Sequence, residues 1–474
     1  MNIFEKLKAF GFDTVPESFY TNIGEWKSWY DGDVKSFHTY KVYNGSSHVS
    51  CRRYSMGMAK KVAEDWANLL MNEKVKITLE GKREQDFFDA FCKDNAFLVK
   101  CNEMQEIKFA MGTAAYVPRV TGLMVDNATG RLAGPADRIC LDYCTAENIF
   151  PLAWENGIVT ECAFTSPRTI HNEKYLYLQI HRRDANGEYI IQNVLYRDNS
   201  GSLSEVDMGT VHGFENVSTV IHTASDKRQF VIDRPNIANN VDVSLPMGIS
   251  VYANSIDNLK GVDVAYDSYV NEFVLSKKRI IVKPQATGDL DGNPYFDPND
   301  TVYYVLPEDG KPGDIIQQVD MTLRTAEHNA GIQDMLNVLS SKCGFGENHY
   351  KYDNGSIATA TQVVSENSTL FRTIKKHEII LEDVLRELCQ IVLRMGNKYL
   401  SAGLNEDVEI SIDFDDSIIE DKQVEFTRDL QMLNAGIIND WEFRMKWKNE
   451  DEATAKAALP KMQDMVTEGE EEIE

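Results

Sequence analysis

Ile256-Asp257-Asn258-Leu259-Lys260-Gly261-Val262-Asp263-Val264-Ala265-Tyr266-Asp267-Ser268-Tyr269-Val270-Asn271-Glu272-Phe273 begins the stretch whose punctuation decides the fold. Ile256, Leu259, Val262, Tyr266, Tyr269, Val270 and Phe273 recur at spacings of three and four, the apolar stripe of a helix. Lys277-Lys278-Arg279 follows, suited to the negative end of its dipole. Ile280-Ile281-Val282 then reads as a strand, Gly288 to Asp300 as a turn-rich excursion, and Thr301–Leu306 and Ile315–Val319 as further strands. A second helix is predicted from Arg324 to Cys343, carrying Ile332, Leu336 and Leu339 and capped by Gly344-Phe345-Gly346. Two rods of about 20 residues, each about 30 Å long, thus bracket a small strand-rich insert.

Upstream, the aromatic-rich start to about Ser50 predicts short helices and then paired strands. Met56, Ala59, Ala63, Trp66, Leu69 and Leu70 form one helical stripe, Val75–Leu79 alternates as a strand, and a helix follows near Gln85–Asn95. From about Ile107 to Ser250 the pattern is mainly β. Two alternating runs, Tyr175–His181 and Tyr189–Tyr196, flank the turn signal Asn186-Gly187, and Val125–Gly130 reads as another tight turn. Downstream, Val364, Phe371, Ile374, Leu381, Val384, Leu388, Ile391 and Met395 predict one helix from about Ala358 to Leu400, roughly 60 Å long. Val408–Phe414 reads as a strand and Asn439 with Glu442 as a capping box. Glu468-Gly469-Glu470-Glu471-Glu472-Ile473-Glu474 reads as a solvated acidic tail. The class is α+β, divided into several modules at 474 residues.

Forty-nine bases against 74 acids leave a net charge of −25, where a protein that grips DNA by its phosphates shows a basic surface. That disfavours a tight-binding repressor or nuclease, although charge alone requires nothing beyond solubility. No run approaches the roughly 18 apolar residues of a membrane span, and the start lacks a signal-peptide core, so a cytoplasmic site of synthesis and assembly is expected. The eight cysteines are scattered; Cys140 and Cys144 have no second pair to complete a zinc site and read as buried thiols. His377-Glu378 opens like a zinc-protease helix, but Leu381 stands where the second histidine belongs, so His377 reads as a packing or solvent-edge residue. Asp289-Leu290-Asp291-Gly292-Asn293 has calcium-loop letters without the closing glutamate and reads as a turn. No Walker A sequence appears. No catalytic residue, cofactor or metal is expected.

Several stretches, in order, resemble the portal family of long-tailed phages that infect Gram-positive bacteria. They are Trp26–Gly32, Ser55–Glu73, the helix–insert–helix unit from Ser255 to Cys343, Gly344-Phe345-Gly346, Thr359–Ser365 and Thr373–His377. The resemblance implies an α+β portal fold. It has an α/β wing (1–254), stem helices (255–279 and 324–343), a small α/β clip (280–323), a tunnel loop (344–357), a long tunnel-to-wing helix (358–404), and a helical crown with the acidic tail (405–474).

It implies a homo-oligomeric ring, in the family a dodecamer, at one capsid vertex of the virion, and no membrane. Double-stranded DNA would pass through the channel. Terminase and then head–tail connector or adaptor proteins would dock on the clip, and major capsid and scaffolding proteins would surround the ring. Such a ring needs heterologous contacts that close by rotation. Lys342, His349, Lys351 and Asn354 are the DNA-channel candidates, the three bases among them for weak transient phosphate contacts. Another phage structural protein, such as a minor capsid or connector subunit, and a metal-dependent nuclease remain the alternatives.

Overall fold

Apolar residues three and four apart give the chain's first part most of its helices. These are α1 (Ile3–Ala9), α2 (Glu17–Tyr30), α3 (Lys35–His38), α4 (Met58–Leu70), α5 (Lys82–Asp94) and α6 (Phe97–Met111). Among them lie the hairpin β1 (Thr39–Tyr43) and β2 (His48–Arg52), and the single strand β3 (Lys76–Leu79). The computed structural model describes residues 2–43, 45–72, 75–126, 129–276, 279–282, 303–305, 316–319, 322–352, 360–414, 422–448, 450 and 452–458. The turn expected over Gly288–Asp300 with its calcium-like letters, Asn354, and the acidic end of the chain lie outside the described residues. The chain divides into two compact units, Met1–Asp413 and Phe414–Glu474.

In place of the β pattern expected from Ile107, α6 continues to Met111. It shows no single apolar stripe because its buried face mixes Phe97, Cys101, Met104 and Phe109 with Gln105 and Lys108. Lys108 is 1% exposed and lies 3.2 Å from the buried carboxylate of Asp233, while Gln105 donates to Asp233 at 2.7 Å. Polar residues satisfied inside the core erased the periodicity that would have announced the helix.

The β region is two antiparallel sheets and a small hairpin. β4 (Ala114–Thr121) pairs with β7 (Arg138–Thr145) around the hairpin β5 (Val125–Asp126) and β6 (Arg131–Leu132). Then β8 (Ile149–Glu155), β9 (Ile158–Ile170), β10 (Glu173–Arg183), β11 (Tyr189–Asn199) and β12 (Ser202–Val206) run as a meander. β13 (Val220–His222) joins β11, and β14 (Val231–Asp233) joins β4. The Asn186-Gly187 signal is the β10–β11 turn, with Arg183 opposite Tyr189. Alternation sends Leu178, Ile180, Val194 and Tyr196 toward Leu7 of α1, and Phe164 and Tyr189 toward Val117 and Phe230. Cys140 and Cys144 are half-buried rather than buried, because β7 is the edge strand of its sheet.

α7 (Ile256–Leu275) and α8 (Thr325–Lys342) are the two predicted rods. The described part of the insert is a three-stranded sheet of β15 (Arg279–Val282), parallel to β16 (Tyr303–Val305) and antiparallel to β17 (Ile316–Val319). The long helix is α9 (Ala360–Leu400), 41 residues, with Ile374, Leu381, Leu385, Leu388 and Val392 on its buried face. β18 (Ile410–Asp413) then returns to pair with β3, which waits without a partner for most of the chain. In the second unit, α10 (Lys422–Asn434), α11 (Asp440–Lys448) and α12 (Glu452–Ala457) are short, and Phe426, Phe443 and Trp447 cluster. Only half of the capping box forms: Glu442 accepts from the Asn439 backbone N–H at 2.7 Å, and the Asn439 amide also donates to Glu442. No helix among the described residues is long and apolar enough to cross a membrane.

Candidate functional site

The paired rods and the turn beyond them are held by polar side chains set into apolar faces. On α7, Asp263 is 3% exposed and accepts from Ser55 Oγ at 3.0 Å and the Met56 backbone N–H at 2.8 Å. His38 Nδ1 accepts from the Val34 backbone N–H, which leaves the proton on Nε2 to be donated to Asp263 at 3.0 Å. One turn on, Asp267 accepts from the Tyr54 backbone N–H at 2.9 Å. Two carboxylates on one helix face thereby fix the middle of α7 to the segment before α4.

α8 runs back along α7. In the first half of α7, Gly261 lets the helices close together, since a Cβ there would lie 3.3 Å from Met335 Sδ. At the far end Glu272 accepts from the Arg324 backbone N–H at 2.8 Å, from its guanidinium, and from His328. These donors, led by the Arg324 backbone, pull the Glu272 carboxyl down to about 2.

The turn after α8 rests on Trp66 of α4, which donates to the Cys343 carbonyl at 3.0 Å. Gly344 is in the left-handed region at φ 90°, and a Cβ there would meet Thr373 at 2.9 Å and Trp66 at 3.3 Å. Phe345 is sandwiched between Trp66 and His349, with ring centroids 4.7 and 4.4 Å away. His377, 2% exposed, closes the aromatic group edge-on to Trp66 at 4.9 Å, so of the two expected settings, packing or solvent edge, it takes the packed one. Gln333 of α8 bridges the turn, donating to the Tyr350 carbonyl and accepting from the Tyr352 N–H.

A family model described as "phage portal protein, SPP1 Gp6-like" matches residues 15–473. The chain belongs to the phage portal family. No curated protein matches it.

Portal proteins are structural components of the bacteriophage virion. In this portal chain the candidate channel residues sit in unlike settings. Lys342 is exposed on the last turn of α8 and Lys351 is exposed beyond the turn, neither with a side-chain partner among the described residues. His349 lies flat on Phe345, and its Nε2 is 3.9 Å from Asp65. Sequence reading missed Asp263 and Asp267 as anchors. The available signal was two acids four apart inside an apolar stripe.

Among the described residues, one group of metal-type ligands comes together, with atoms of Asp184, Glu188 and His222 within 4.8 Å of one another. Each is already engaged. Asp184 accepts from the N–H groups of Asn186 and Glu188, and Glu188 accepts from the Ala224 N–H and lies 3.2 Å from His222 Nδ1. The group closes the β10–β11 turn.

Proposed function

We propose that this portal chain assembles as a ring around an axial channel, conducts double-stranded DNA during packaging and ejection, and acts as a docking platform rather than an enzyme. In this reading residues 1–254 are the wing, 255–279 and 324–343 the stem, 280–323 the clip, 344–357 the tunnel loop, 358–404 the tunnel-to-wing helix and 405–474 the crown. Terminase, then head–tail connector proteins, engage the clip; capsid and scaffolding proteins surround the wing. ATP hydrolysis belongs to the terminase. Lys342, His349, Lys351 and Asn354 face the channel, and the three bases make transient phosphate contacts.

One observation carries this reading. Val264, Phe273, Val274 and Leu275 on α7, and Met335 and Val338 on α8, are all at least 40% exposed. A pair of helices that leaves this much apolar surface bare calls for a neighbour to cover it. A head-to-tail ring of identical copies supplies one. The decisive experiment is negative-stain microscopy of the purified chain. Rings with a central hole are expected, and discrete monomers under assembly conditions overturn the proposal.

A further inference from the structure

Between the β9–β11 face of the meander and α9 lies a cavity of about 480 Å³. Five bases line it: Arg183 at the end of β10, Lys227 and Arg228 from the loop before β14, and Arg386 and Arg394 from α9. Three acids share the lining, but two are taken. Glu387 holds Arg228 in a bidentate pair at 2.7 and 2.6 Å, and Asp383 accepts from Arg386 at 3.4 Å. What remains is Arg183, Lys227 and Arg394 against the single carboxylate of Asp226.

The three remaining cations have little to hold. Arg183 reaches only the Asp226 carbonyl, at 3.4 Å, and the side chains of Lys227 and Arg394 make no hydrogen bond or ion pair among the described residues. Arg394 is half-buried; burial, with Arg228 beside it, keeps its proton affinity below the usual value although Glu387, Glu406 and Asp226 oppose this. In a chain of net charge −25, this is a local reversal of sign inside a concavity. A guanidinium offers five donors in a planar fork matched to paired oxyanion oxygens. Three cations on separate elements suit a ligand carrying more than one negative charge and oxygens pointing in several directions. A phosphate group has both, and a lone carboxylate has neither.

We propose that this cavity is a phosphate-binding site held by Arg394, Arg183 and Lys227. The phosphate belongs either to a nucleic-acid backbone or to a free phosphate compound such as a nucleotide. The site does not depend on ring formation, so its test and the microscopy fail separately.

The full-length chain is titrated with inorganic pyrophosphate by calorimetry at low ionic strength, beside Arg394→Gln, Lys227→Gln and, as a control outside the lining, Arg138→Gln. Pyrophosphate is expected to bind the unaltered chain. Arg394→Gln should weaken it at least about tenfold, and Lys227→Gln by a smaller factor, while Arg138→Gln leaves it unchanged. Lys227 is exposed, so its variant keeps the test decisive if Arg394→Gln folds poorly. Competition with a short DNA duplex assigns the source. Displacement of pyrophosphate points to a nucleic-acid backbone, whereas displacement by a nucleotide alone points to a free phosphate compound. Failure of the unaltered chain to bind pyrophosphate, or equal binding by the two cavity variants, overturns the proposal.

Discussion

Asp263 shows how much one buried carboxylate can organise. Its three donors come from residues 38, 55 and 56, more than 200 positions earlier in the chain. Asp263→Ala leaves all three without an acceptor in the core, and a loss of about 3–5 kcal/mol is expected by chemical denaturation. Asp263→Asn keeps one oxygen and should lose clearly less; equal losses would show that shape rather than acceptance matters. His181 and His377 give a second test, because burial pushes both down to about 3. Unfolded, each titrates near 6.5, so below that pH the unfolded chain binds protons that the folded chain does not. Stability is therefore lost as pH falls from about 6.5 toward 3, by up to about 1.4 kcal/mol per pH unit per histidine. His377→Gln lowers stability throughout through lost packing but should flatten this slope. An unchanged slope would mean that His377 does not titrate on unfolding.

At the scale of elements, the α7–α8 pair depends differently on the middle of α7 and on its C-terminal end. The middle is a buried hydrogen-bonded cluster and the far end is the ionised Glu272. A carboxyl depressed to about 2 in the fold contributes stability that is complete above its unfolded value near 4.3 and disappears as pH falls toward 2. Glu272→Gln should therefore lower the melting temperature at pH 7 and make no difference near pH 2. The exposed apolar surface of the pair makes a separate prediction. Val338→Glu leaves the monomer's stability within about 0.5 kcal/mol. It should abolish ring assembly in sedimentation velocity, because a charge buried without a partner at a subunit contact is strongly unfavourable. Rings of normal size from this variant would place the contact elsewhere.

Over the whole molecule, the pairing of β18 with β3 sets how far the first unit extends. A chain ending after Asp413 keeps that strand and should retain the melting transition of unit 1. A chain ending after Gly403 strips β3 of its partner and exposes the Leu79 side of the pairing, so its transition should fall by several degrees. Equal melting of the two truncations would make β18 an ornament of the fold. The charge of −25 does not act at this scale, since salt screens it beyond about 8–10 Å.

The amino-acid order by itself determined the elements whose cause is local. The stripe on α7, the stripe on α8, the Asn186-Gly187 turn, the long period of α9 and the glycine after α8 are all legible, because periodicity and turn chemistry involve residues a few positions apart. Order along the chain also carried the family. Tertiary structure alone decided what depends on distant partners. Polar Gln105 and Lys108 are core residues only because Asp233 meets them, so α6 was invisible. Asp263 and Asp267 are anchors only because residues 38–56 fold onto them. Arg394 faces Arg183 and Lys227 across a cavity only because the sheet lies against α9. Burial is a property of the assembled core, and a polar side chain's role is fixed by which groups replace the water it gives up.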